Sequence, residues 1–289
     1  MGWCRGKAIG QGCDIYPDMK PFMRMNLDLG EIHNVAYTGI RRAAAFLGLG
    51  LKALEDGPPK SVTLSGHMRF AFVPDPLPED LGTELAKQYR AWLVGAGLRE
   101  LDVHFAMFLD RVWETRRLGE LHGKPPPLFF LPDEKFLADT NVARKLEQLV
   151  ELLDADAPWS AYFDGFSRAR NALNHNAGIV RSRDCNCDDG LLLKWRSPTV
   201  VIKDGDMEHM FDARVAPPAE QMQNEAPVYF RMAERQLLFK VGEAVMFAPV
   251  DLAELCLCYQ ATADAVIKGL HDHLTKLGIG PTPEDAAKS

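Results

Sequence analysis

Hydrophobic positions recur most regularly near the end of the chain. After Pro249, residues Leu252, Leu255, Cys256, Tyr259, Ala263, Val266, Ile267, Leu270 and Leu274 fall on one stripe with the 3.6-residue period of an amphipathic helix. The same period runs from Asn26 to Glu55, where Ile32, Ala36, Ile40, Ala43 and Ala44 share a side, and Gly57-Pro58-Pro59 ends it. From Pro78 onward, Leu81, Leu85, Tyr89, Trp92, Leu93 and Ala96 make one stripe, and Leu101, Phe105, Phe108 and Val112 make another. Gly95-Ala96-Gly97 lies between the two, so the pattern predicts one long kinked helix or two. Asp133 is placed to cap a helix carrying Val142, Leu146, Leu149, Val150 and Leu153. Pro158 opens the next helix at its first turn and Gly178 helps to end it.

Elsewhere the pattern changes. Ser61 to Val73 alternates as a short strand or extended connection, and Leu191 to Trp195, Thr199 to Ile202, Val228 to Phe230 and Leu237 to Val241 are short apolar or β-branched runs between turn residues. They predict a small antiparallel sheet, inserted at about 191–247. Lys203 to Ala226 is long and polar and reads as a loop. Lys124 to Pro132 is proline-rich and reads as a rigid polyproline spacer. No periodicity precedes Asn26, and the tail over 280–289 is expected to be disordered. The expected fold is therefore mainly α, with an N-terminal extension over 1–77 that holds one helix and a short extended segment. A helical bundle with a β insertion follows over 78–279.

Composition narrows the function classes. With 47% hydrophobic and 25% charged residues and no apolar run near the length of a membrane span, the chain is expected to avoid the membrane. Met1 to Lys20 lacks the apolar core of a signal peptide, so a cytoplasmic location is expected. The net charge of −7 argues against broad, sequence-independent binding of nucleic acid and leaves room for a local basic patch. Six cysteines in a cytosolic chain read as thiols. Cys185 and Cys187, even if joined by Cys4 and Cys13, depart from the C-x2-4-C spacing of zinc sites, and Cys256 belongs to an apolar stripe.

The chemistry concentrates in Arg170-Asn171-Ala172-Leu173-Asn174-His175, late in a helix. Arg170-Asn171-x-x-x-His175, followed by Asn174-His175-Asn176-Ala177-Gly178 in overlap and by a closing helix downstream, resembles the R-x4-6-H signature of HEPN domains, in which Asn often follows the Arg. The resemblance spans roughly Pro78 to Ile279. It implies a compact helical bundle that pairs as a homodimer, with the motif helices of two subunits meeting in one cleft. It also implies a metal-independent endoribonuclease that uses no cofactor, serving in defence or in a toxin–antitoxin pair with an antitoxin or other protein partner. A binding-only module of the same fold, for RNA or protein, is the alternative.

The residues suit the first activity. An imidazole titrating near neutrality transfers protons, and a guanidinium holds two phosphate oxygens at once. His175 takes the proton-transfer role, Arg170 the phosphate role, and Asn171, one helical turn before His175, orients the ring or a phosphate oxygen. Asn174 is assigned to substrate binding, and the product carries a 2′,3′-cyclic phosphate. Helical geometry raises a difficulty: Arg170 falls on the apolar stripe of Trp159, Tyr162, Phe163, Phe166, Leu173 and Ala177, about 140° from His175. Arg168, Asn171 and His175 do share a face. Either Arg170 reaches across a subunit seam, or Arg168 is the working cation and Arg170 pairs with a buried carboxylate. An ion-paired Arg and a His at a helix end are also ordinary structural features.

Other candidates carry less. His104 sits on an apolar stripe and reads as a satisfied core histidine, and His271 and His273 face different ways on one helix. Asp204 and Asp206 are turn residues in a Gly-containing segment. Phosphate-binding loops, dinucleotide fingerprints, nucleophile elbows and H-E-x-x-H are missing from the sequence.

Overall fold

The chain is mainly helical, with a three-stranded antiparallel sheet and a separate hairpin. The computed structural model describes residues 27–280 apart from 57–60, 66–67, 72–77, 125–130, 154–156, 205–206 and 213–227. The expectations for the segment before Asn26, for most of the proline-rich spacer and for the tail lie outside the described residues.

Helix α1 (Leu29–Asp56) lays Ala36, Ile40, Ala43 and Leu47 into the core, in close agreement with its apolar period, while Ala44 is exposed. That helix shares its core with the rest of the bundle. Strands β1 (Ser61–Ser65) and β2 (Met68–Ala71) form an antiparallel hairpin. Helix α2 then runs unbroken from Glu79 to Gly119. Its Gly95-Ala96-Gly97 segment is a place of close approach and does not interrupt the helix. A Cβ on Gly95 would lie 2.3 Å from Asn174 Oδ1, and one on Gly97 would lie 2.6 Å from a Leu47 methyl carbon. Two neighbouring helices are thus received on two sides of α2.

The helix expected after Asp133 is divided. Asp133 caps α3 (Glu134–Ala138) by accepting from Phe136 N at 3.1 Å, and Asn141 caps α4 (Val142–Gln148) by accepting from Arg144 N at 3.1 Å. Asp139 stops the first by accepting from the Asn141 amide at 2.8 Å, and a 3₁₀ turn (Val150–Leu152) follows α4 and leaves Val150 exposed. Helix α5 (Trp159–His175) begins directly after Pro158. It closes where Ala177 and Gly178 take positive φ values and the Gly178 amide donates back to Ala172 O at 3.1 Å.

The sheet has fewer and longer strands than its runs predict. Strand β3 (Leu191–Asp204) pairs with β4 (Met207–Asp212) and β5 (Val228–Phe239) on its two sides. Part of the segment read as a polar loop is therefore strand β4, and Asp204 ends β3. Helix α6 (Pro249–Lys276) buries Leu252, Leu255, Cys256, Tyr259, Ala263, Val266, Leu270 and Leu274, and Ala248 N donates to Asp251 Oδ2 at 2.7 Å where it starts. Where α2, α5 and α6 cross, Phe105, Phe163, Phe166 and Tyr259 pack with ring centroids 4.7–5.8 Å apart. Each such ring contributes on the order of 1.5–3 kcal/mol by burial, and together they fix Tyr259 beneath the candidate site. Among the described residues, no helix is long and apolar enough to cross a membrane.

Candidate functional site

A cleft of about 810 Å³ opens between α2, the α3–α4 connection and the last turns of α5. Arg170, Asn171, Asn174 and His175 form its α5 wall, and Trp92, Ala96, Arg99, Asp102 and Val103 are among the α2 residues opposite. Four of the sequence-predicted site residues therefore bound one space. The helical wheel separates Arg170 from His175, but a wheel gives Cβ directions only, and the long arginine chain bends toward α2.

What bends it is a buried carboxylate. Arg170 donates through Nη1 to Asp102 Oδ2 at 2.5 Å, and Tyr259 Oη donates to Asp102 Oδ1 at 2.5 Å. Asp102 is 3% exposed, so its charge depends on both donors. Burial pushes the Asp102 carboxyl above the usual carboxylate range, while the Arg170 charge and the Tyr259 hydrogen bond oppose the rise. Burial, reinforced by Asp102, pushes Tyr259 well above the ordinary tyrosine value, which keeps it a proton donor. Arg170 also donates through Nη2 to Asn171 Oδ1 at 3.3 Å. One edge of the guanidinium is thus fixed, and the group remains a quarter exposed to the cleft.

Asn174 and His175 are exposed, with Asn174 seated over Gly95 and His175 in the final turn of α5. Asn176 is buried and structural, because its Nδ2 donates to Asp184 Oδ2 at 3.2 Å and its Oδ1 accepts from Arg183 at 3.1 Å. Arg168, the other candidate cation, does not line the cleft. Its Nε donates to Asp164 at 2.7 Å and its Nη1 donates to Cys185 O at 3.1 Å, which commits it to the segment after α5.

The cleft is also lined by a buried cation. Lys145 is 1% exposed, pairs with Asp110, and rests 5.0 Å from the centroid of Phe136, which stacks on Trp113. Asp139 pairs with Arg144 at 2.8 Å. Each of the three carboxylates lining the cleft therefore has its own cation, and among the described residues Arg99 is left with no ion pair. Asp102, Tyr259, Asp110 and Lys145 were not read from the sequence. Their signal in the sequence is a charge or hydroxyl on an apolar stripe, the same signal that marks Arg170.

Among the described residues, no three His, Cys, Asp or Glu side chains cluster as a metal site. The thiols of Cys185 and Cys187 donate to backbone carbonyls of Arg181 and Gly190. Burial pushes Cys256 and Cys258 up to about 11, which makes them poor nucleophiles. His104 is partly buried and bonds through Nδ1 to Glu100 O at 3.2 Å. No family model matches this chain, and no curated protein or solved structure does either.

Proposed function

We propose that the cleft binds RNA and cleaves its backbone without a metal ion, leaving 2′,3′-cyclic phosphate and 5′-hydroxyl ends. The observation that carries this reading is the meeting of Arg170, Asn171, Asn174 and His175 in one cleft, with Arg170 held in place by Asp102. In the reaction the ribose 2′-oxygen bonds to phosphorus as its proton leaves to a base, and the bond from phosphorus to the 5′-oxygen breaks as that oxygen takes a proton. The free edge of Arg170 holds the phosphate oxygens on which charge grows, and Asn171 and Asn174 supply amides to the same group. His175 moves the protons.

One imidazole serves one end of the reaction at a time, so a homodimer in which a second copy brings its own His175 completes the acid–base pair. The helical bundle with the motif at the end of α5 supports HEPN kinship, and the three-stranded sheet is an addition to that plan. Service in defence or as a toxin held by an antitoxin is what the HEPN resemblance suggests, and growth arrest relieved by His175→Ala tests it. Purified protein should degrade a mixed RNA pool in EDTA. His175→Ala should lower the rate about 10²–10⁴-fold and Arg170→Ala about 10²–10³-fold. RNA left intact by wild type, or cleaved equally by His175→Ala, ends the catalytic reading.

A second reading, binding of RNA or protein without turnover, is favoured by one observation: Arg170 already spends donors on Asp102 and Asn171. RNA retention that survives His175→Ala, without cleavage by wild type, selects it.

A further inference from the structure

Trp92 is a large apolar side chain on the cleft face of α2, and it is 57% exposed. It stands in an aromatic group, with Tyr89 at 5.9 Å and Phe46 of α1 at 6.2 Å between ring centroids. Trp92 and Ala96 line the cleft and also a smaller cavity of about 320 Å³ that Phe46 helps to form. Trp92 is thus the ridge between two hollows.

On a helix, positions i, i+4 and i+7 share a face, so Trp92, Ala96 and Arg99 form a row. The small side chain between them leaves a shallow trough from an exposed indole to a guanidinium without an ion pair among the described residues. A flat aromatic face next to a cation, with a small residue between, fits a nucleotide: base on the ring, phosphate at the cation. Electrostatics select the form of nucleic acid. The chain carries a net charge of −7 and the cleft carboxylates are already neutralised in pairs, so attraction of a polyanion at long range is weak. Binding must come from stacking, which needs an unpaired base with an open face.

We propose that Trp92 is a nucleobase-stacking platform for single-stranded RNA, which seats one base on the indole and its phosphate at Arg99, beside the phosphate held at Arg170. This rests on the RNA reading above and adds the substrate class. It makes the salt dependence shallow, because each phosphate neutralised on a single strand contributes a slope of only about −0.7.

The test uses the full chain and a fluorescein-labelled 2′-O-methyl oligouridine, which has no free 2′-hydroxyl to attack and survives the assay. Fluorescence anisotropy should show Trp92→Ala binding about 5- to 150-fold more weakly than wild type and Trp92→Phe within about threefold. A duplex of the same length should compete poorly. Equal binding by Trp92→Ala overturns the platform, and so does a Trp92→Ala protein that sediments as a monomer where wild type is a dimer, since the aromatic group is then a protein interface. Cleavage by wild type together with Trp92-independent binding sinks the platform alone. Trp92-dependent binding without any cleavage sinks the nuclease reading alone.

Discussion

Helix α5 carries two arginines two positions apart that lead to opposite environments. Arg170 reaches across to α2 and meets Asp102, a carboxylate 68 residues away in sequence and almost wholly buried. Arg168 meets Asp164, one turn back on its own helix, and both partners are more than a third exposed. The chemistry of the two pairs is the same, but the surroundings are not. In the first pair, desolvation makes each partner depend on the other, and geometry is fixed as a result. In the second, water competes for both ends and the pair does little beyond tethering the segment at Cys185.

The sharpest way to break this contrast is to remove the two carboxylates in turn. Asp102→Ala strands Arg170 and leaves Tyr259 Oη without its acceptor, and should cost about 3–5 kcal/mol in urea unfolding. Asp164→Ala should cost less than about 0.5 kcal/mol. Equal losses would show that burial does not separate the pairs. A finer probe removes one donor. Tyr259→Phe leaves a buried carboxylate oxygen unsatisfied and should cost about 1–3 kcal/mol. Tyr162→Phe removes a comparable hydroxyl that donates to the exposed Glu234 at 3.2 Å, and should cost under about 1 kcal/mol.

The two pairs also show what could be read from the chain. The stripes of α1 and α6 and the start of α5 at Pro158 were legible because local periodicity and proline chemistry determine them. The continuity of α2 was not, since Gly95 and Gly97 look like breakers until the neighbours they admit are known. Asp139 and Asn141 divide α3 from α4 by short-range side-chain bonds, a signal that was present and outweighed by the apolar period. Strand β4 was hidden because an edge strand needs little apolar character. The motif itself is visible, and a buried carboxylate opposite Arg170 is one half of the alternative whose other half, Arg168 as the cleft cation, does not match the cleft lining. That it is Asp102, with Tyr259 behind it, depends on the crossing of α2, α5 and α6, which no local pattern encodes. Arg168 shares a face with His175, yet a shared face on one helix does not decide which wall of the protein the side chain meets.

Titration gives a smaller effect of definite sign. Burial raises the Asp102 carboxyl above its unfolded value of 3.8, so the folded state holds that proton more tightly. The stability this contributes is fully present below pH 3.8 and is lost as pH rises through the raised value. Asp102→Asn lacks the titration. The stability of wild type relative to Asp102→Asn should therefore fall as pH rises through this window, with a slope of at most about 1.4 kcal/mol per pH unit for one proton. A difference that grows in favour of wild type across the same range would mean that Arg170 outweighs burial.

The smallest expected effect tests the tether assigned to Arg168. Removing that side chain releases Asp164 to solvent, where it is already two-fifths exposed, and frees the Cys185 carbonyl. Global stability should change by less than about 1 kcal/mol. The segment from Ser182 to Cys187 should open more often, since its attachment to α5 through Nη1 is gone, while Asp184 still holds Asn176 and the Arg181 amide. Labelling of the partly exposed Cys185 thiol by a disulfide reagent should then accelerate by at most about fivefold in Arg168→Ala. Arg170→Ala should leave that rate unchanged even though it weakens the fold more, because its buried partner Asp102 lies on α2 and none of its hydrogen bonds reaches the segment after α5. If Arg170→Ala accelerates labelling as much as Arg168→Ala, the two arginines are coupled through α5 and cannot be treated as separate regions.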